Sequence, residues 1–165
     1  MKNLSKFVVP IIVVLVGVAG LLILQKSQTK PLVVSTTLQE SMVKKVDLST
    51  QPEWVQKLEV TVKKGVSANS LQNITITVKG LPKDKVNSVN YVIQYQTSNK
   101  GAQGALSSKP INVSGATTFT KTIDLGTCST KSCVRHDGVT SVDLELDFAV
   151  SDGSTPVWSK TLDLK

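Results

Sequence analysis

From Val139 to Val150 the chain alternates without a break: Val142, Leu144, Leu146, Phe148 and Val150 on one side, Ser141, Asp143, Glu145, Asp147 and Ala149 on the other. A period of two is the spacing of a strand with one buried face, because successive side chains point to opposite sides of a sheet. The same pattern predicts strands over Val55–Lys64 (Leu58, Val60 and Val62 alike) and Leu71–Lys79 (Ile74, Ile76 and Val78 inward, Thr75 and Thr77 outward). It continues over Ser88–Thr97 (Val89, Tyr91, Ile93, Tyr95), Thr117–Leu125 (Phe119, Ile123) and Val157–Leu164. Pro110-Ile111-Asn112-Val113 predicts a short edge strand, since a leading proline cannot donate to a ladder. Gly80-Leu81-Pro82-Lys83-Asp84 and Ser151-Asp152-Gly153-Ser154 are turn sequences, and the Ser-, Gly- and Lys-rich stretch up to Lys109 reads as a loop. No helical period of useful length follows residue 30. Seven short strands joined by turns predict an all-β fold, an antiparallel β-sandwich over residues 52–165.

The amino-terminal pattern is different. Phe7–Leu24 is a continuous apolar run of 18 residues, with Lys2 and Lys6 before it and Lys26 after it. As a helix it reaches about 27 Å, enough for the hydrocarbon core of a bilayer. Cleavage as a signal peptide is the competing reading, with Val18-Ala19-Gly20 as the small residues. Leu21 to Leu24 keep the segment apolar where a cleavage region turns polar, which favours an uncleaved transmembrane signal-anchor. A lipoprotein needs a cysteine just after the run, and the first cysteine is Cys128. The expected organisation is an anchor with its flanks over 1–30, a stalk or extra edge strand over 31–51, and the sandwich over 52–165. The expected partner of Phe7–Leu24 is the lipid bilayer. The amino terminus is then cytoplasmic and the sandwich extracytoplasmic, in the periplasm or at the cell surface, or secreted if the leader is cleaved.

The passage Gly80-Leu81-Pro82 to Tyr91-Val92-Ile93-Gln94-Tyr95 is a turn followed by a tyrosine-bearing third strand. With the number and spacing of strands, it resembles the immunoglobulin-like and fibronectin type III-like modules. The resemblance implies a sandwich of two sheets and no particular ligand. The antibody-type bridge between strands two and six has no counterpart, because Cys128 and Cys133 stand in one loop.

Charge narrows the function classes. The formal net charge is +7, but four of the 19 cationic residues lie in the first 30, leaving 15 against 12 acids in the rest. Arg135 is the single arginine and aromatics are 4% of the chain. A nucleic-acid surface needs a dense basic stripe with stacking platforms, so no nucleic-acid partner is expected.

Few residues carry chemistry. Cys128 and Cys133 enclose Ser129-Thr130-Lys131-Ser132, and outside the cytosol such a pair predicts a disulfide stapling a short loop. His136 is the only histidine and reads as a surface residue beside that loop; one histidine is too few for a blue-copper site. Zinc on Cys128, Cys133, His136 and Asp137 competes with the disulfide for the same sulfurs. Asp143, Glu145 and Asp147 lie opposite an apolar face and read as solvated outward carboxylates rather than a glycosidase pair. No cofactor, metal site or catalytic residue is expected. The leading expectation is a non-catalytic binding, adhesion or assembly module for another protein or a cell-surface ligand. Its contacts would run through the loop Ala102–Lys109 and the stapled loop, with Lys131, Arg135 and His136 as candidate binding residues. The alternatives are an accessory subunit of a membrane complex and a small exported metal-binding protein or enzyme.

Overall fold

The computed structural model describes residues 41–68 and 70–164. Phe7–Leu24 and the rest of residues 1–40 lie outside the described residues; among the described residues no helix is long and apolar enough to cross a membrane.

The described chain is all-β, with two antiparallel sheets and nine strands: β1 Glu59–Val66, β2 Gln72–Lys79, β3 Val86–Thr97, β4 Gly101–Leu106, β5 Ile111–Asn112, β6 Thr118–Cys128, β7 Cys133–Arg135, β8 Ser141–Val150 and β9 Val157–Asp163. One sheet runs β1-β2-β6-β7; the other runs β4-β3-β8-β9, with β5 also on β3. One hydrophobic cluster takes side chains from both sheets, including Ile74, Ile76 and Val78 of β2 and Leu144, Leu146 and Phe148 of β8. Val142, Leu144, Leu146 and Phe148 are each 0% exposed. Burying a side chain of this kind stabilises by about 1.5–3 kcal/mol before conformational entropy is set against it, so β8 is a main source of cohesion. On the opposite face of the first sheet, Thr75 and Thr122 hydroxyls meet at 3.1 Å across the β2–β6 register, as the outward threonine pattern predicts.

Three departures from the sequence reading have local causes. The expected strand from Val55 begins instead with a single helical turn, α1 Glu53–Gln56, and β1 starts at Glu59. Pro52 precedes that turn, Val55 inside it is 0% exposed, and Trp54 meets Phe148 edge-on at 5.2 Å, so the turn closes one end of the core. The expected loop from Ala102 contains β4, paired with β3 over Gly101–Leu106. Gly-Ala-Gln-Gly-Ala has no large apolar alternation to announce a strand, and pairing alone makes it one. The short β7 adds the ninth strand, so the count is nine rather than about seven.

The described end of the expected stalk lies against the sandwich. Residues 41–46 run across the second sheet, on its face away from the core. Met42 N donates to Gln94 Oε1 of β3 at 2.8 Å, Lys44 N to Glu145 Oε2 of β8, and Val46 N to Ser159 Oγ of β9 at 2.8 Å. Alternate amides of this segment thus land on side chains of three successive strands, and Val43 between them is 4% exposed.

Candidate functional site

The stapled loop is a braced hairpin. Cys128 and Cys133 face each other in the β6–β7 register and are joined by a disulfide with a Cα–Cα distance of 4.0 Å. Between them the chain closes on itself: Ser129 N donates to Ser132 O at 2.8 Å and Ser129 Oγ to the same carbonyl at 3.2 Å. Gly126 sits where β7 passes closest to β6. A Cβ there would lie 2.5 Å from the Val134 carbonyl oxygen, so any other residue pushes the hairpin away.

A second brace comes from the β3–β4 turn. Asn99 Nδ2 donates to Arg135 O and to Asp137 Oδ2, both at 3.0 Å, while its Oδ1 accepts from Asp137 N at 3.1 Å. Ser98 N donates to Asp137 O at 2.9 Å. Asn99 therefore spends both ends of its amide holding the chain just past β7, a role that nothing in the sequence reading assigned to it. The only available signal was Ser98-Asn99-Lys100-Gly101, an ordinary turn sequence.

Of the three candidate binding residues, the structure brings two to the surface. Lys131 at the hairpin tip and Arg135 at the end of β7 are exposed, and Val134 between them is 42% exposed. His136 is not a surface residue. It is 5% exposed, with Nδ1 3.0 Å from the Tyr95 hydroxyl and its backbone N donating to Leu125 O at 3.3 Å. That backbone bond carries the β6–β7 register one pair further, to Leu125 opposite His136, so the imidazole falls on the same inward face as Leu125, which is 0% exposed. Tyr95 is itself 4% exposed, and burial raises its hydroxyl pKa above the ordinary value. A buried phenol needs a hydrogen-bond partner, and the imidazole supplies it.

This arrangement takes both sulfurs out of the alternative zinc set, because they are joined in the disulfide. Among the described residues no group of three or more His, Cys, Asp or Glu side chains converges. The acidic row of β8 also differs from expectation. Glu145 is 3% exposed, roofed by residues 41–46, and Asp143 accepts the Thr161 hydroxyl at 2.5 Å. Beside that roof a shallow pocket of 220 Å³ opens between Lys45 and Lys160, with the Ser159 and Thr161 hydroxyls in its lining.

No protein-family model matches the chain, and no curated protein matches it. Among solved structures it is similar to the crystal structure of Spo0M, sporulation control protein, from Bacillus subtilis, at 13% identity and a TM-score of 0.27. That similarity covers 66% of this chain and 49% of the Spo0M chain, so this chain spans about half the length of its structural neighbour.

Proposed function

We propose that this chain is a non-catalytic binding module, tethered to a membrane through Phe7–Leu24, with its β-sandwich outside the cytosol and facing another protein or a cell-surface ligand. The observation that carries this reading is the double bracing of the hairpin that presents Lys131, Val134 and Arg135. A disulfide closes it at one side, and Asn99 clamps the outgoing chain at the other. A loop ordered in advance loses less entropy on binding, so bracing of this kind favours contact with a partner. The exposed cations there, with Lys100 on the neighbouring turn, suit a partner surface carrying acidic groups.

The fold reading is that of an immunoglobulin-like or fibronectin type III-like sandwich. Its support is the division of strands: β1, β2 and β6 on one side and β3, β8 and β9 on the other. This is the arrangement expected when these six take the places of strands A, B, E and C, F, G.

The test is site-specific photocrosslinking in the full-length chain expressed in its own cells, with the photoreactive residue at position 134 and, as control, at Lys160. The reading requires a defined adduct from position 134 that is absent from position 160 and is lost in the K131E/R135E variant. Identical adducts from both positions, or adducts indifferent to the charge reversal, would sink it. Labelling of intact cells with an impermeant amine reagent tests the location: the sandwich lysines should react without lysis.

A further inference from the structure

Among the described residues the two sheets have four edges: β1 and β7 in the first, and in the second β9 and, along the open side of β3, β4 with the two-residue β5. A sheet edge presents main-chain donors and acceptors to any strand that approaches, and proteins guard such edges with charged side chains. Three of the four are guarded in this way: β1 carries Glu59, Lys63 and Lys64, β7 carries Arg135, and β9 carries Lys160 and Asp163. The fourth carries no charge: β4 is Gly-Ala-Gln-Gly-Ala-Leu, and β5 beside it is only Ile-Asn, so β4 is the longer stretch of this edge.

The register says which of its groups face outward. Ser107 N donates to Tyr91 O at 2.9 Å, and the pairing runs on through Val92↔Leu106, Gln94↔Gly104 and Gln96↔Ala102. Hydrogen-bonded and non-hydrogen-bonded pairs alternate in an antiparallel ladder, so Ala105 and Gln103 bond to β3 while Leu106, Gly104 and Ala102 turn their N–H and C=O away from it. In agreement, the Ala102 carbonyl accepts the Gln103 side-chain amide at 2.8 Å, reached around the edge.

We infer that β4 is a self-pairing edge, joining antiparallel to β4 of a second copy of this chain about a two-fold axis at Gly104. The choice of Gly104 follows from the geometry. A two-fold perpendicular to the sheet keeps each face continuous only if residues of like parity stand opposite one another. Centring on Gly104 sets Gly104 opposite Gly104 of the second copy and Ala102 opposite Leu106 of the second copy. All three outward-facing residues are then used, each pair exchanging N–H···O bonds, with the Gln103 side-chain amide sharing or giving up the Ala102 carbonyl. Centring on Gln103 uses fewer. In the Gly104 register the flanking Lys100 and Lys109 fall opposite Ser108 and Asn99 of the second copy, so no like charges meet.

The face away from the core favours the same axis. Met42 lies over Gly104, where a Cβ would be 3.1 Å from its Sδ, and Leu106 lies on that face two residues further on. Met42 is 48% and Leu106 58% exposed, two of the four exposed large apolar side chains among the described residues. Pairing at Gly104 brings both, from each copy, around the axis and out of water. The resulting dimer joins two second sheets into one.

The experiment uses the full-length chain in a mild non-ionic detergent. Residues directly opposite in a hydrogen-bonded pair have Cα atoms about 5.5 Å apart, within disulfide reach, whereas positions 102 and 106 of one strand are about 13 Å apart. The A102C/L106C variant should therefore form a covalent dimer under mild oxidation, while A102C alone and L106C alone should not. Leu106→Pro, which removes an outward N–H and no bond to β3, should lower the dimer fraction of the otherwise native chain at least tenfold in sedimentation. Failure of the double variant to cross-link, or equal cross-linking by A102C alone, would overturn the inference. So would slow amide exchange at 102, 104 and 106 that persists in a chain diluted to monomer, since the edge would then be covered from within the same chain.

Discussion

The Tyr95 hydroxyl lies 3.0 Å from His136 Nδ1, and the two side chains are 4% and 5% exposed. This buried polar pair joins the core strand β3 to the chain just past the hairpin, and neither group keeps open access to water as a substitute partner. Tyr95→Phe should cost about 1–3 kcal/mol, the penalty for leaving a buried polar nitrogen unpaired. Removing both partners as Y95F/H136F should cost less than the sum of the two single changes. Urea unfolding of the four proteins in a double-mutant cycle measures the coupling, and strict additivity would mean that the hydrogen bond contributes nothing.

Burial raises the hydroxyl pKa of both Tyr91 and Tyr95. The folded state therefore holds these protons to higher pH than the unfolded state does, where tyrosine titrates near 10. Their contribution is complete below about pH 10 and is lost as pH rises through the folded values. Unfolding free energy should accordingly be flat up to about pH 9 and fall above it, with a shallower fall in Y91F/Y95F. Tyrosinate absorbance and denaturant midpoints across that range provide the measurement.

The Cys128–Cys133 disulfide spans a sequence separation of 5, so it closes a very small loop. Chain entropy for a loop of this size amounts to about 2 kcal/mol, less than for bridges that close long loops. C128S/C133S should remain folded, with its loss concentrated in faster amide exchange over residues 126–135 and little change in β8. A global loss well above 4 kcal/mol in urea unfolding would show that the bridge supports more than the hairpin.

Asn99→Ala removes three hydrogen bonds without touching Lys131 or Arg135. Exchange at residues 134–138 should speed up at least several-fold, at a stability cost of about 1–2 kcal/mol. Adduct formation from position 134 should weaken as well, although every exposed contact residue is still present. Unchanged crosslinking in a loosened hairpin would count against preorganisation as the reason for the bracing.

Glu145 separates charge from hydrogen bonding. Its carboxylate accepts the Lys44 amide beneath the crossing segment. Glu145→Gln retains an acceptor and should be nearly neutral, whereas Glu145→Ala orphans that amide and should cost about 1–3 kcal/mol, read from urea midpoints. Proteolysis between residues 41 and 47 should accelerate in the alanine variant alone.

Residues 139–150 show how far a pattern can be read. Alternation named the inward side of β8 correctly at Val142, Leu144, Leu146 and Phe148, because burial on one face of a pleated strand depends only on parity. It placed Glu145 in solvent by the same rule, and failed there because a distant segment, residues 41–46, covers the outer face. His136 failed for a related reason: its inward face is set by pairing with the buried Leu125 across the hairpin, which its own stretch of sequence does not announce. Asn99 and β4 were hidden because an amide in a turn, and a run of Gly, Ala and Gln, acquire their roles only from what pairs with them. By itself, the sequence determined what is local and periodic: the all-β class, most strand positions, the apolar run at Phe7–Leu24 and two cysteines close enough to bridge. Only the tertiary structure decided which polar groups are buried, which loop is a strand and which edge is left unguarded. Those are properties of contacts between residues far apart in the chain, and no short-range pattern encodes them.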